Sequence, residues 1–372
     1  MAAKRNQRRR RPIRPIILIP CVLLVILSAV LVGIYLFPEK KSNILEKAEA
    51  TVSFVSSRDA RICCIGNRII SLNSAGYSLY DLSGATDGFI SYPLSDPTVC
   101  TCENGLLAYG PGSSKAFYLG SGNSREAISA PGNIIYASLC NKKGFAIVSD
   151  SRFCKGELTL YDLKGNILFS YKCTEGFPYL CAISPDLSLI ACAVLRQSES
   201  GIPATSIYTF SPDREEIEGK LDLEGTVING LACSESERIT AVTDRGVLTA
   251  NAKGEELSRY ELSNETVLFY SIPDGYTFLY TYRQDAGEKY GLVTVDPDGN
   301  EIARSSVSDS YIAVSGNGSH VALLSDRFVT VYDRSLTPIC VVPHKYAVTG
   351  IFLCENNKLL CRTDSGASIY KY

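Results

Sequence analysis

One pattern recurs through this chain of 372 residues: a short apolar strand, a tight turn and a second apolar strand. It is read eight times, at residues 61–70, 99–107, 137–147, 180–190, 230–240, 269–278, 312–321 and 351–360. A turn rich in Asp, Asn and Gly follows most copies. Examples are Tyr80-Asp81-Leu82-Ser83-Gly84, Tyr161-Asp162-Leu163-Lys164-Gly165-Asn166, Asp296-Pro297-Asp298-Gly299-Asn300 and Tyr332-Asp333-Arg334-Ser335. Such residues supply a positive φ, a fixed φ or a side chain that bonds its own backbone, so each turn closes a second hairpin. Two hairpins make a four-stranded unit about every 40 residues.

A lone unit of this kind cannot bury its apolar faces. Stacking against like neighbours does bury them, and strands such as Leu189-Ile190-Ala191-Cys192-Ala193-Val194 are accordingly apolar throughout rather than alternating. Radial stacking predicts an all-β, eight-bladed β-propeller over residues 51–372, with seven blades as the fallback if the second and weakest unit is irregular. The last unit has only three strands before the chain stops at Tyr372. Residues 51–55 (Thr-Val-Ser-Phe-Val) can supply the fourth, pairing near Ser368–Tyr370 and removing two exposed sheet edges.

The N-terminal end follows a different logic. Residues 1–15 carry seven basic groups, Lys4, Arg5, Arg8, Arg9, Arg10, Arg11 and Arg14. Residues 16–37 then run apolar for 22 residues without a charge. That length at about 1.5 Å per residue spans a bilayer core of roughly 30 Å. The basic tail predicts a cytoplasmic N-terminus and an extracellular C-terminal domain, joined through a linker at 38–50. A short helical stripe at 42–50 is the only other helical candidate. The apolar run is too long for a cleaved signal peptide, and Ile34-Tyr35-Leu36-Phe37-Pro38-Glu39 offers no small-residue cleavage site. Beyond the tail, 30 basic residues face 39 acidic ones, a net charge of −9. An acidic exterior excludes nucleic acid as a partner class, because phosphate recognition needs a basic face.

Catalytic and metal chemistry finds little purchase. With only His320 and His344, a Ser-His-Asp or Cys-His arrangement has few ways to form. No paired Cys-x-x-Cys motifs have zinc spacing. Asp296-Pro297-Asp298-Gly299-Asn300-Glu301 is too short for an EF-hand and reads as a hairpin turn. No cofactor, metal or catalytic residue is predicted. Thirteen cysteines follow the apolar run, many where sister units carry Ser, Ala or Val, the pattern of small buried hydrophobes left mostly reduced. Strand counting sets Cys181 opposite Cys192, and Cys354 opposite Cys361 if Asn357-Lys358 is a two-residue turn.

The most informative polar feature joins the second and third strands of the units: Ser149-Asp150-Ser151-Arg152, Thr243-Asp244-Arg245 and Ser325-Asp326-Arg327, with longer versions around Arg196 and Arg283. Aspartates cap turns, but turns do not need arginines. Arg152, Arg196, Arg245, Arg283 and Arg327 are the candidate rim-binding residues, a basic collar suited to carboxylate or phosphate groups.

The repeat pattern resembles β-propellers of the WD40-like or quinoprotein-like kind, with Tyr-Asp where WD40 blades carry Trp-Asp. The eight-bladed quinoproteins place a vicinal cysteine pair beneath their quinone. Cys63-Cys64 matches that pair, but those enzymes stack the quinone on Trp and this chain has none. With its basic tail and apolar run, the chain resembles uncharacterised single-pass membrane-anchored propeller proteins of anaerobic Gram-positive bacteria. The resemblance carries no function with it; the predicted anchor, the lack of catalytic motifs and the arginine collar point to a non-catalytic binding or scaffold module at the cell envelope, with an envelope protein or an anionic envelope polymer as partner. The alternative is an envelope-polysaccharide hydrolase or lyase, which needs two carboxylates about 5–10 Å apart at the ring mouth.

Overall fold

The computed structural model describes residues 42–372, apart from 54–59, 82, 103, 123, 141–142, 199, 215, 285–286, 288, 345–347, 355 and 365. The basic tail and the apolar run at 16–37 lie outside the described residues. Among those described, no helix is long and apolar enough to cross a membrane.

The described residues form eight antiparallel meanders, each a blade of four strands. Blades 1 to 7 span residues 61–91, 98–129, 134–173, 177–224, 228–261, 266–307 and 313–343. The second unit is a regular blade, so the seven-blade fallback falls away. Blade 8 joins three C-terminal strands, Val348–Cys354, Lys358–Thr363 and Gly366–Lys371, to an N-terminal one, β2 (Ala50–Ser53). Thr51 faces Ser368 and Val52 faces Ala367, so the closure is antiparallel at the expected register. Phe54 and Val55 lie outside the described residues.

The segment at 42–50 is not helical. A strand of two residues, β1 (Asn43–Ile44), pairs in parallel with the outer strand of blade 7, Pro338–Pro343. Leu45 adds a backbone bond of 2.9 Å to the Val341 carbonyl.

The two middle strands of each blade are sandwiched between neighbouring blades, which explains their unbroken hydrophobicity. Gly105–Tyr109 and Gly144–Ser149 are buried at every position. Clusters run from blade to blade: Phe169 and Phe210 join blades 3 and 4, and Leu248, Ile239 and Leu223 join blades 4 and 5. Each fully buried Leu, Ile or Phe contributes about 1.5–3 kcal/mol. Outer strands touch one neighbour only and expose alternate residues, as in Ile167–Cys173.

The turn chemistry is as specific as the sequence implies. Asp162 Oδ1 accepts from the N–H groups of Lys164 and Asn166 at 2.9 and 2.8 Å. Asp81, Asp296 and Asp333 make the same pair of bonds two and four residues on. The 296–300 segment is thus a hairpin turn, as read. Asn251 performs this role in blade 5 for Lys253 and Glu255, both at 3.0 Å.

Among the described residues all thirteen cysteines are free thiols. Cys181 and Cys192 sit directly opposite, as counted. Cys354 does not face Cys361. It faces Lys358, and Cys361 faces Ile351. The turn lies earlier than expected, where Asn356 and Asn357 both take φ of +56°. Asparagine tolerates that conformation because its short amide bonds locally.

Candidate functional site

A four-stranded meander fixes two faces of the ring. Loops between second and third strands share one face with the links that join blades. Loops between first and second, and third and fourth, strands lie on the other. The five candidate arginines all fall on the first face, near the blade-joining links.

Most of them are engaged within the chain. Arg196 Nε donates to Ser206 Oγ at 2.6 Å, and its Nη2 stands 2.9 Å from Asp222. Burial opposes the charge on Asp222, but Ser206, Lys220 and Arg196 outweigh it and hold the carboxyl below its ordinary value. Arg245 Nη2 donates to the Gly225 carbonyl at 3.0 Å. Arg283 pairs with Glu265, which also binds Arg304 at 2.8 Å. Arg327 lies 3.7 Å from Asp326 and 4.0 Å from Asp309, and is 75% exposed. Arg152 is exposed in its loop.

These contacts explain why Asp and Arg recur together. Arg196 bonds within blade 4, whereas Gly225, Glu265 and Asp309 all belong to links between blades, so Arg245, Arg283 and Arg327 reach the link that leads into their own blade. The neighbouring aspartates do the same for its donors. Asp150 accepts from the backbone N–H and the Nδ2 of Asn133 at 2.6 and 2.8 Å, and Asp244 from the Val227 N–H at 3.1 Å. Asp and Arg in these loops therefore tie several successive blades together, while Arg152 and Arg327 stay exposed.

The same face carries a feature that the residue pattern did not announce. Phe153, beside Arg152, is 92% exposed. Phe177, which opens the inner strand of blade 4, is exposed and lies opposite Leu195, also exposed. Lys155 Nζ stands 5.4 Å from the Phe177 ring centre, close enough for a cation–π contact. Ile202 and Val227 add further exposed aliphatic surface in the adjoining loops. Blades 3 to 5 thus present apolar groups interspersed with cations.

The opposite face holds a cavity of about 580 Å³ where the inner hairpin turns of blades 1, 2, 6, 7 and 8 converge. Its lining includes Cys64, Cys102, Asp274, Asn317, His320 and Cys354. His320 packs edge-on against Tyr372, ring centres 5.4 Å apart. Burial lowers its pKa from the ordinary histidine value despite the opposing charge of Asp333, which favours the neutral imidazole. Asp274 is the one carboxylate among the described lining residues, whereas glycoside hydrolysis needs two. Among the described residues no three His, Cys, Asp or Glu side chains converge as a metal site. His344 lies elsewhere, its Nε2 3.2 Å from the Ser325 carbonyl. Cys63 and Cys64 face opposite ways, into the clusters toward blades 2 and 8 respectively.

Solved structures share this architecture. BamB from Moraxella catarrhalis matches with 10% identity and a TM-score of 0.56, over 88% of this chain and 100% of that one. The C-terminal WD40 domain of Sif2 matches with 11% identity and a TM-score of 0.61, over 88% and 98%. The Cps50 (Swd1) β-propeller domain of Myceliophteria thermophila matches with 12% identity and a TM-score of 0.50, over 88% and 100%. Identities this low establish likeness of fold alone. No match was found among curated protein sequences. A family profile matches residues 40–370, nearly the whole ring, and the chain therefore belongs to the family of unknown function DUF5711.

Proposed function

We propose that this protein is a membrane-tethered, extracytoplasmic propeller that acts as a non-catalytic binding module for another envelope protein. The observation that carries the binding role is the face of blades 3 to 5, where Phe153, Phe177 and Ile202 stand in solvent beside Arg152 and Lys155. Monomeric proteins seldom leave such apolar groups together, and aromatic residues with arginine are the side chains that anchor protein interfaces. The net acidic body makes these cations a local exception, suited to acidic side chains on a partner. The tether rests on the basic tail and the uncharged run of residues 16–37.

Site-directed photo-crosslinking in cells tests the binding face. A photoreactive residue at position 153 should capture one partner, and one at Ile167, exposed on the outer strand of the same blade, should not. Replacing Phe153 and Phe177 together by Ser should weaken binding by about 2 kcal/mol, roughly 30-fold, as loss of an interface anchor does. Equal capture at both positions, or capture of glycan polymer instead, overturns the reading.

The tether has its own test. Protease added to intact protoplasts should remove the domain beyond Pro38 while an epitope on residues 1–15 survives. A protected propeller overturns the orientation.

A further inference from the structure

The seam where the ring closes carries two thiols from opposite ends of the chain. Cys64 lies in the inner strand of blade 1, Arg61–Ile65, and Cys354 in the inner strand of blade 8, Val348–Cys354. The two share one core cluster with Val52 of β2. The two thiols interact across the seam within that cluster, and both line the cavity at the mouth of the ring. Other cysteine neighbours lack that combination. Cys181 and Cys192 face each other inside blade 4, buried and away from the cavity. Cys102 lines the cavity, but in blade 2.

We propose that Cys64 and Cys354 form a cross-blade disulfide site, oxidised through the cavity by a small-molecule disulfide. One thiolate attacks the small disulfide, forming a mixed disulfide and releasing one small thiol. The second protein sulfur then attacks the protein-side sulfur of that mixed disulfide and displaces the second small thiol. Two protein thiols are oxidised, one small disulfide is reduced to two thiols, and both protons leave with them. Because both thiols belong to one core cluster at the seam, the bond of about 2.05 Å is to be formed by movement of the two side chains toward each other.

The consequence is structural. A bond from residue 64 to residue 354 fastens the first blade to the last, beside the strand that already closes the ring. Cross-links between residues far apart in sequence constrain the unfolded chain most. The interaction with Cys354 and burial hold the Cys64 pKa well above the ordinary thiol value, with Lys358 opposing. Exchange is therefore slow at neutral pH and accelerates as the solution becomes alkaline.

The full-length protein in detergent, incubated with oxidised glutathione at mildly alkaline pH and then alkylated, tests this by peptide mapping. The expected product is a single cross-linked peptide pair joining Cys64 to Cys354, with a mass loss of two hydrogens. Its melting temperature should rise by roughly 5–10 °C and return on reduction. Cys64→Ser and Cys354→Ser should each abolish both changes. A stable glutathione adduct, a first-formed link at Cys102 or Cys181, or no reaction while the ring remains folded overturns the assignment. The mapping on unmodified sequence decides the matter even if a Ser variant fails to fold.

Discussion

Deleting Ala50–Ser53 should destabilise the ring by about 4–6 kcal/mol and turn its sharp thermal transition into an earlier, aggregating one. Val52 is fully buried in the seam, and its side chain alone is worth about 1.5–3 kcal/mol. The lost ladder with Gly366–Lys371 adds roughly 0.5–1.5 kcal/mol for each bond. The deletion also bares the edge of that C-terminal strand, a template for pairing with other chains. Val52→Asp should reproduce most of the loss without shortening the chain. Calorimetry with light scattering checks both, and an unchanged melting temperature in either variant would show that β2 does not close the ring.

The second large effect is expected at Glu265. Its side chain is only 2% exposed, yet it meets Thr281 at 2.8 Å, Arg304 at 2.8 Å and Arg283. Burial disfavours its charge, but Thr281, Arg283 and Arg304 outweigh that and hold the carboxyl below its ordinary value. The network continues through Arg304 to Glu301, at 3.2 Å, and to Tyr260. Glu265→Gln leaves two guanidinium groups short of an anion and should cost about 2–4 kcal/mol near neutrality. The sign of the pH dependence follows from the depressed pKa. The carboxylate's contribution is fully present above the unfolded value, near 4.5, and is lost as pH falls through the folded one. Denaturant titrations of both forms should therefore differ most near neutrality and converge as the pH falls below the unfolded value, near 4.5. A gap that stays constant with pH would assign the loss to packing alone.

Arg283 illustrates how far a rim residue can be read from its neighbours in sequence. The recurrence of Asp-Arg after second strands was visible because it repeats in blades that otherwise differ. Its partners were not visible, because Gly225, Glu265 and Asp309 precede their arginines by 18 to 20 residues at places where no motif marks them. The apolar groups on the same face stayed hidden for another reason. Phe177 has the composition of any inner-strand residue, and only the packing of blade 3 against blade 4 decides that its ring faces water. Phe153 lies just past the Ser-Asp-Ser-Arg stretch, where no repeat marks it.

The fold was more legible. Strand pairs alternating with Asp-capped turns admit few arrangements, and the three-strand remainder at the C-terminus asked for a partner from elsewhere. What escaped was local and turn-dependent. The inner hairpin of blade 8 turns on two consecutive asparagines of positive φ, which moves Cys361 from Cys354 to Ile351. β1 escaped because two residues, Asn43 and Ile44, carry too little pattern to announce a strand.

Blade 8 also sets a timetable for assembly. Thr51 and its partner Ser368 stand 317 positions apart, so a strand made before any blade is the last to find its place. Blades 1 to 7 can each be completed from consecutive residues as they emerge, but Val52 waits until the final strand exists. Contacts between such distant positions must repay a large loss of chain freedom before they stabilise anything. The ring should accordingly mature in two kinetic phases, a fast one that builds blades in order and a slow one that shuts the circle. Until the slow phase is complete, both ends of the sheet array remain open to chaperones and to other copies of the chain.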